Sequence, residues 1–332
     1  MAKKQNERKA EQKPIDRVTP AAGEATYDEV KKDNKLYFNI VKRRYIWFAI
    51  SLMFLIPGII SLFMQGLNLG IDFKGGSMFE ITFNEPVSQS QVSKALDSVG
   101  LTGQVQLSEG STDVLIRTDA LDDEKRDALL SALETEVGEF DKNNLKEDKV
   151  GPAIGAELKS GAIKALVVAS ILILLYIAFR FRFIFAFAGV VALLHDIFVT
   201  LGIFSIFQWE IDAPFIAAIL TVFGYSINDT VVIFDRIREN EKKLKKRDSF
   251  EDMVDKSVWQ TMGRSIKTSV TVLIALLAIF ILGGDSTRIF SLAMIIGVFS
   301  GTYSSIFIAS QLVVEIRSRF GRPGRKDKVA EA

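Results

Sequence analysis

The chain has 332 residues, of which 48% are hydrophobic and 24% carry a charge. This mixture indicates apolar segments that alternate with strongly charged ones, which fits neither an ordinary soluble domain nor a bare helix bundle. The net charge of +1 gives no reason to expect nucleic acid as a partner. The chain has no cysteine and one histidine, so disulfides and thiol nucleophiles are excluded and no metal site is expected.

Six segments reach the roughly 20 apolar residues that a lipid-spanning helix needs. The predicted transmembrane helices are 46–65, 161–179, 183–207, 214–234, 265–283 and 288–312. The first is not followed by a small-residue cleavage site, so we interpret it as a retained anchor. The sixth carries small residues at every fourth position, a pattern typical of close helix packing. These residues are Ala293, Gly297, Gly301, Ser305 and Ala309.

Lysine and arginine are concentrated on one side of these helices. Twelve precede Ile46, ten lie in 235–267 and six follow residue 312, whereas the two connectors on the other side hold one at most. The positive-inside rule therefore places the tail 1–45, the loop 235–264 and the tail 313–332 in the cytoplasm. Residues 1–35 lack periodicity and are expected to be disordered, and an amphipathic helix is expected at Ser249–Trp259.

The segment 67–160, with 18 acidic and 9 basic residues, would then lie outside. Its pattern predicts β-α-β-β-α-β, the ferredoxin-like order. The expected elements are 77–84, 88–99 (capped by Ser88), 105–107, 114–118, 122–137 (capped by Asp122) and 145–150, with a turn at Glu109–Ser111. The predicted fold class is a polytopic α-helical membrane protein with six transmembrane helices. An α+β extracytoplasmic domain lies between the first two.

Asp229 is an acidic residue inside the fourth predicted span. A carboxylate there costs at least about 2.5–3.5 kcal/mol on insertion scales, so it ordinarily faces a protein interior or a water path and has a function. Helical spacing places Asp229, Asn228, Tyr225 and Thr221 on one face of this helix.

Polar residues on two other spans are expected to meet this face. Arg264, Thr268 and Thr271 form a stripe on the fifth helix, and His195 and Asp196 lie near the middle of the third. Because adjacent helical residues point about 100° apart, His195 and Asp196 need not pair. The three groups together predict a wet, ionisable seam through the bundle.

The seam suggests a switch. Desolvation raises the pKa of a carboxyl group and a nearby guanidinium lowers it, so movement of Arg264 relative to Asp229 would drive proton uptake and release. Simpler interpretations stay open. Asp229 could be a structural hydrogen-bond partner, His195 a packed histidine, and Arg264 an ordinary boundary charge.

Four strings resemble one family, SecF, a protein-export membrane subunit of the RND superfamily. They are Gly70-Ile71-Asp72-Phe73-x-Gly75-Gly76, Gly151-Pro152-x-Ile154-Gly155-x-Glu157-Leu158, His195-Asp196, and the run from Gly224 to Asn240 that begins Gly-Tyr-Ser-Ile-Asn-Asp-Thr. The resemblance covers nearly all of the chain from Leu36 to Arg319. The last string is the most specific, since the sister subunit SecD has a string similar to the first.

This resemblance implies one six-helix half of an RND-type bundle, with SecD as the other half. It implies a bacterial cytoplasmic-membrane protein that works with the SecYEG channel, the SecA motor, YajC and the translocating polypeptide. The pair would use the proton gradient to promote protein export and membrane-protein integration, with no cofactor beyond a coupling ion, H⁺. The family's intramembrane aspartate and arginine match Asp229 and Arg264, while Asp72, Gly75 and Gly76 match its motif at the entry to the outer domain.

Two positions depart from the family pattern. Ser265 stands where threonine is usual after the arginine, and Arg182 stands where glutamate is usual after Arg180-Phe181. The second departure puts only a local charge pair in doubt.

Other functions stay open at this point. A passive scaffold would not need Asp229, and an intramembrane aspartyl protease would use Asp196 and Asp229 as a dyad. An RND transporter of small molecules would need a larger outer domain than these 94 residues. Carboxylate and hydroxyl groups suit Na⁺ as well as H⁺.

Overall fold

The computed structural model describes residues 27–33, 37–107, 111–244 and 248–320. Within them, six helices are long and apolar enough to cross a membrane, the number that the sequence predicts. The spans are Val41–Met64, Pro152–Arg180, Phe183–Phe207, Ala213–Lys242, Phe250–Leu282 and Thr287–Arg319. A separate domain of one sheet and two main helices lies between the first two spans.

The elements before the outer domain are helix α1 (Tyr27–Asp33), a 3₁₀ turn (Val41–Arg43), α2 (Arg44–Met64) and the short α3 (Ile71–Lys74). The outer domain contains β1 (Gly76–Thr82), α4 (Gln89–Ser98), β2 (Gly103–Leu107), β3 (Asp113–Thr118), α5 (Asp123–Ala132) with a π-helical turn (Leu133–Val137), and β4 (Lys146–Val150). The bundle is completed by α6 (Pro152–Arg180), α7 (Phe183–Phe207), α8 (Ala213–Lys242), α9 (Phe250–Leu282), and α10 (Asp285–Ser304), which runs through a π turn (Ser305–Ala309) into α11 (Ser310–Phe320).

The outer domain has the predicted β-α-β-β-α-β order. Its sheet is antiparallel with strand order β2-β3-β1-β4, roughly as in a ferredoxin-like fold. The alternation in β1 buries Phe79 and Ile81 against the two helices. Ser88 caps α4 in a capping box with Gln91, and Asp122 accepts a hydrogen bond from the Lys125 backbone N–H at the start of α5.

Half or more of α7, α8 and the α10–α11 rod is buried, whereas α6 is 6% buried. The bundle core therefore lies along α7, α8 and α10, with α6 at the periphery. The stripe of small residues on α10 packs against α8, as the pattern predicts. A Cβ added at Gly301 would lie 2.9 Å from the Cβ of Ser226, so this crossing needs glycine.

The segment 235–264, predicted to be a cytoplasmic loop with one amphipathic helix, contains more helix than predicted. Residues 235–242 continue α8, and α9 begins at Phe250. The predicted amphipathic helix Ser249–Trp259 is therefore the first part of α9. Glu, Lys and Arg favour helix, so α8 continues past its apolar part as far as Lys242. The helix α6 likewise begins at Pro152 and not at 161, because proline is favoured in the first helical turn.

The disorder expected for residues 1–35 is wrong for Tyr27–Asp33, which form a helix on the surface of α9. The fully buried carboxylate of Asp255 accepts hydrogen bonds from the backbone N–H groups of Ile40 (2.8 Å) and Val41 (3.2 Å). It also accepts them from the hydroxyls of Tyr37 (2.7 Å) and Tyr27 (3.1 Å). The rest of the two tails, and Glu109–Gly110 of the predicted turn, lie outside the described residues.

Candidate functional site

Asp229 lies on α8 and is only partly exposed. Its Oδ1 accepts a hydrogen bond of 2.5 Å from the Ser265 hydroxyl on α9. Its Oδ2 is buried and has no hydrogen-bond partner among the described residues. An open acceptor on a carboxylate inside a membrane-spanning helix is suited to receiving a proton.

Arg264 precedes Ser265 on α9 and is exposed. Within the described residues it forms no ion pair within 4.0 Å, and it is the residue directly before Ser265, which contacts Asp229. The structure therefore places Arg264 next to the residue that contacts the carboxylate, with no ion pair between the two charges. This separation leaves room for the approach that the switch hypothesis requires.

The predicted facing stripe on α9 is wrong in its register. Thr268 and Thr271 are exposed, and each donates to carbonyl oxygens of its own helix. The stripe that faces α8 is Ser265 and Ser269, one residue further along, and both are buried. Small hydroxyl residues fit between packed helices, and a shift of one residue turns a helix by about 100°.

Tyr225 joins the site through this stripe. Its hydroxyl donates to Ser269 Oγ at 3.0 Å, and Ser269 in turn lies 2.6 Å from the hydroxyl of Thr302 on α10. Asn228, predicted to take part, is exposed and forms no hydrogen bond within the described part of the chain. The polar contacts therefore connect α8, α9 and α10 along one side of α8.

Asp196 forms a second polar centre and is fully buried. Three serine hydroxyls donate to its two oxygens, from Ser226 at 2.6 Å, Ser300 at 2.7 Å and Ser304 at 2.8 Å. These contacts join α7 to α8 and α10. Sequence reasoning missed the serines. The spacing of Ser300 and Ser304, four apart on one helix face, was the available signal.

His195 pairs with its neighbour, although adjacent positions diverge on a helix. Its Nδ1 lies 3.0 Å from Asp196 Oδ1, because the imidazole ring is long enough to turn back to the carboxylate. Its Nε2 is buried and has no partner among the described residues. His195 therefore belongs to the Asp196 centre and does not contact Asp229.

The two carboxylates are not brought together as a dyad. No hydrogen bond joins Asp196 and Asp229, and they share no hydrogen-bond partner in the described part of the structure. Helix α8 nevertheless contributes to both centres, because its Ser226 donates a hydrogen bond to Asp196 and Asp229 lies on α8 itself. The predicted seam consists of two centres on neighbouring sides of one helix.

The motif at the entry to the outer domain lies beside the amino-terminal end of α8. Asp72 Oδ2 accepts a hydrogen bond of 2.8 Å from the backbone N–H of Ala213. Gly75 has φ 80°, and a Cβ there would lie 2.9 Å from the Cα of Pro152. Gly76 has φ 148°, and a Cβ there would lie 2.6 Å from the carbonyl oxygen of Thr118. Both glycines are thus required by backbone conformation and by close approach.

Comparison with known proteins assigns the family. Residues 130–319 match the family described as protein export membrane protein SecD/SecF, C-terminal, and residues 60–87 match the SecD/SecF GG motif. A protein translocase subunit SecF from Sebaldella termitidis is 44% identical, over 87% of this chain and 94% of that protein. The chain belongs to the SecF family. The corresponding SecF of Haemophilus influenzae is 37% identical, over 84% of this chain and 86% of its own length.

Solved structures agree with this family assignment. A crystal structure of SecDF, a translocon-associated membrane protein from Thermus thermophilus, is 36% identical with a TM-score of 0.78. A second, of SecDF in a super-membrane-facing form, is 35% identical with a TM-score of 0.64. Each covers 86% of this chain, which spans 39% and 40% of the two SecDF chains. The chain thus has the fold of one part of SecDF and is a multi-pass membrane protein.

Proposed function

We propose that this SecF-family chain, an accessory subunit of the Sec protein translocase, couples proton movement to protein export through Asp229. The observation that carries the proposal is the position of this carboxylate. It lies within a membrane-spanning helix, bonded to α9 by Ser265 alone and with its second oxygen unpaired among the described residues. Protonation removes its charge, which changes its interaction with Ser265 and with the nearby Arg264.

A polar surface on the outside of the bundle supports SecD as the second half. Asn228 and Arg264 are exposed although they lie in spanning segments. Lipid hydrocarbon cannot satisfy such groups, so another helix bundle with polar residues is expected to cover them. The match to part of a longer SecDF chain supports the same partner.

The remaining assignments follow from charge and family. We infer from the distribution of lysine and arginine that both termini lie in the cytoplasm and that the outer domain lies on the far side of the bacterial cytoplasmic membrane. SecYEG, SecA, YajC and the translocating polypeptide are the partners that this role implies. A proton crossing the membrane supplies about 2.3 kcal/mol per 100 mV, enough to bias a conformational equilibrium.

The test is gradient-driven export in vesicles that carry the chain with SecD. Asp229→Asn and Arg264→Met should abolish stimulation by the proton gradient without loss of expression or SecD assembly. Asp235→Asn is the matched control, since it makes the same exchange on α8 at a partly exposed ion pair with Arg180. Wild-type stimulation in both site variants would refute the proposal and favour a passive scaffold. Replacing the proton gradient by a sodium gradient identifies the ion.

A further inference from the structure

The outer domain is attached to the bundle at few points. Its two chain connections lead from α2 through residues 65–75 and from β4 into α6. A third, non-covalent attachment reaches the connector between α7 and α8. There Arg117 of β3 forms an ion pair with Glu210, with 2.6 Å between Nε and Oε2. Both side chains are largely buried.

Asp72 makes a second contact at the same place. It lies on α3, directly before β1, and its carboxylate accepts a hydrogen bond from the backbone N–H of Ala213, the first residue of α8. The chain beside it pairs with the connector, since Ile211 N donates to Asn68 O and Gly70 N donates to Ile211 O, each at 2.8 Å. The beginning of α8 is thus held by the segment that leads into the outer sheet.

These contacts stand apart from their surroundings. Clefts of about 550, 340 and 330 Å³ lie between the outer domain and the bundle, and Arg117 and Glu210 line all three. Because the ion pair borders these clefts, it is an isolated contact between the outer domain and the bundle and not part of a broad packed interface. A discrete contact transmits displacement of one element to the other in a defined direction.

We call the contacts of Arg117 with Glu210 and of Asp72 with Ala213 the joint. Helix α8, which begins at this joint, carries the proposed coupling residue Asp229. Asp229 lies sixteen residues after Ala213 on the same helix, about 24 Å along its axis. We infer that Asp72 and Glu210 are positioning residues that transmit movement of α8 to the outer domain. This inference rests on the proposed function, because it assigns the route by which the protonation of Asp229 reaches the outer side.

The test measures the distance between two spin labels in the full chain, reconstituted with a cysteine-free SecD-type partner. Because the chain has no cysteine, Met64→Cys on α2 and Glu136→Cys in the outer domain, both at exposed positions, introduce the two labels. Asp229→Asn represents the permanently neutral carboxyl group. With the joint intact, this exchange should shift the distance between the labels.

Asp72→Leu removes the acceptor for the Ala213 N–H, whereas Asp72→Asn keeps a carbonyl oxygen there. We expect the shift to be lost in Asp72→Leu and retained in Asp72→Asn, with both variants still assembled with the partner. Glu210→Leu should reduce the shift, and Glu210→Gln, which loses the charge but keeps a carbonyl oxygen near Arg117, should reduce it less. A merely structural contact would alter stability without abolishing the response to Asp229→Asn.

Two results would overturn the inference and are distinguishable. A full shift in Asp72→Leu and Glu210→Leu shows that movement reaches the outer domain by another route, while the proposed function stands. No shift with the joint intact shows that the charge on Asp229 does not move the outer domain. Failure of gradient-driven export to depend on Asp229 would separately refute the proposed function.

Discussion

Ser265 on α9 donates a 2.5 Å hydrogen bond to one oxygen of Asp229 on α8, and the other oxygen stays buried without a partner in the described structure. Through this contact, a change in the charge of Asp229 on α8 alters its hydrogen bond to α9. Serine here supplies the same hydroxyl group as the threonine that the family usually has at this position.

We therefore expect Ser265→Ala to lower gradient-driven export roughly ten-fold or more, because a hydrogen bond to a charged group contributes about 1.5–3 kcal/mol. Ser265→Thr should retain the activity, and Thr268→Ala, on the exposed side of α9, is the matched control. Export assays in inverted vesicles measure the effect. Equal activity of Ser265→Ala and the wild type would mean that this hydroxyl does not serve the coupling step.

Asp196 should matter more for stability than Asp229 does. Asp196→Leu leaves the hydroxyls of Ser226 and Ser300 without an acceptor and Ser304 with only the Gly301 carbonyl oxygen, and each unsatisfied buried polar group costs about 1–3 kcal/mol. Thermal unfolding in detergent should show a clearly lower midpoint for Asp196→Leu than for Asp229→Leu. If the two midpoints agree, the Asp196 centre is not a structural hub.

Much of the fold could be predicted from periodicity alone. Alternation in 77–84 predicted the strand β1, and the length of each apolar run predicted six spans. The extensions of α8 and α9 beyond the membrane could not be predicted from hydropathy, because charged residues end an apolar run without ending a helix. The amino-terminal contact with Asp255 depends on residues more than 200 positions apart, which no local pattern encodes.

The candidate site was predicted in part. Asp229 stands out because its burial has an energetic cost, and Arg264 follows from the family motif. The serines were missed because serine in a membrane helix ordinarily bonds its own backbone, so its presence does not indicate a neighbour. Which face of α9 meets α8 depends on packing across the whole bundle, and this decided between Ser265 and Thr268.

The outer end of α8 should respond to pH. Burial raises the pKa of Asp212 from 3.8 to about 6, and the nearby carboxylates of Asp72 and Glu210 add to this, while the backbone N–H of Phe215 opposes it. The folded state therefore binds a proton more tightly than the unfolded state. This contribution favours folding at low pH and is lost as the pH rises through about 6.

Thermal unfolding of the purified protein at pH 5 and pH 7.5 measures this contribution. Asp212→Asn keeps an N-cap acceptor for α8 but cannot titrate, so its stability should fall less than that of the wild type over this interval. Asp97→Asn, at an exposed position in the outer domain, is the control and should behave as the wild type. Identical pH dependence in all three proteins would show that Asp212 ionises normally.

The amino-terminal segment should detach from α9 when Asp255 is removed. Asp255→Ala leaves the N–H groups of Ile40 and Val41 and one of the two tyrosine hydroxyls, which also bond each other, without an acceptor, at about 1–3 kcal/mol for each group that stays buried. Releasing the segment into water relieves that penalty, so the segment is expected to leave. Asp255→Asn retains a carbonyl oxygen for the backbone N–H groups and should hold it.

Ile40→Cys reports this detachment, because Ile40 is fully buried and the chain has no other cysteine. Reaction of this thiol with a water-soluble maleimide should be roughly ten-fold or more faster in Asp255→Ala than in the parent, which corresponds to a loss of about 1.4 kcal/mol or more of protection. Asp255→Asn should react nearly as slowly as the parent. Slow reaction in Asp255→Ala would mean that the ring contacts of Tyr37 and Phe38 with Trp259 suffice to hold the segment.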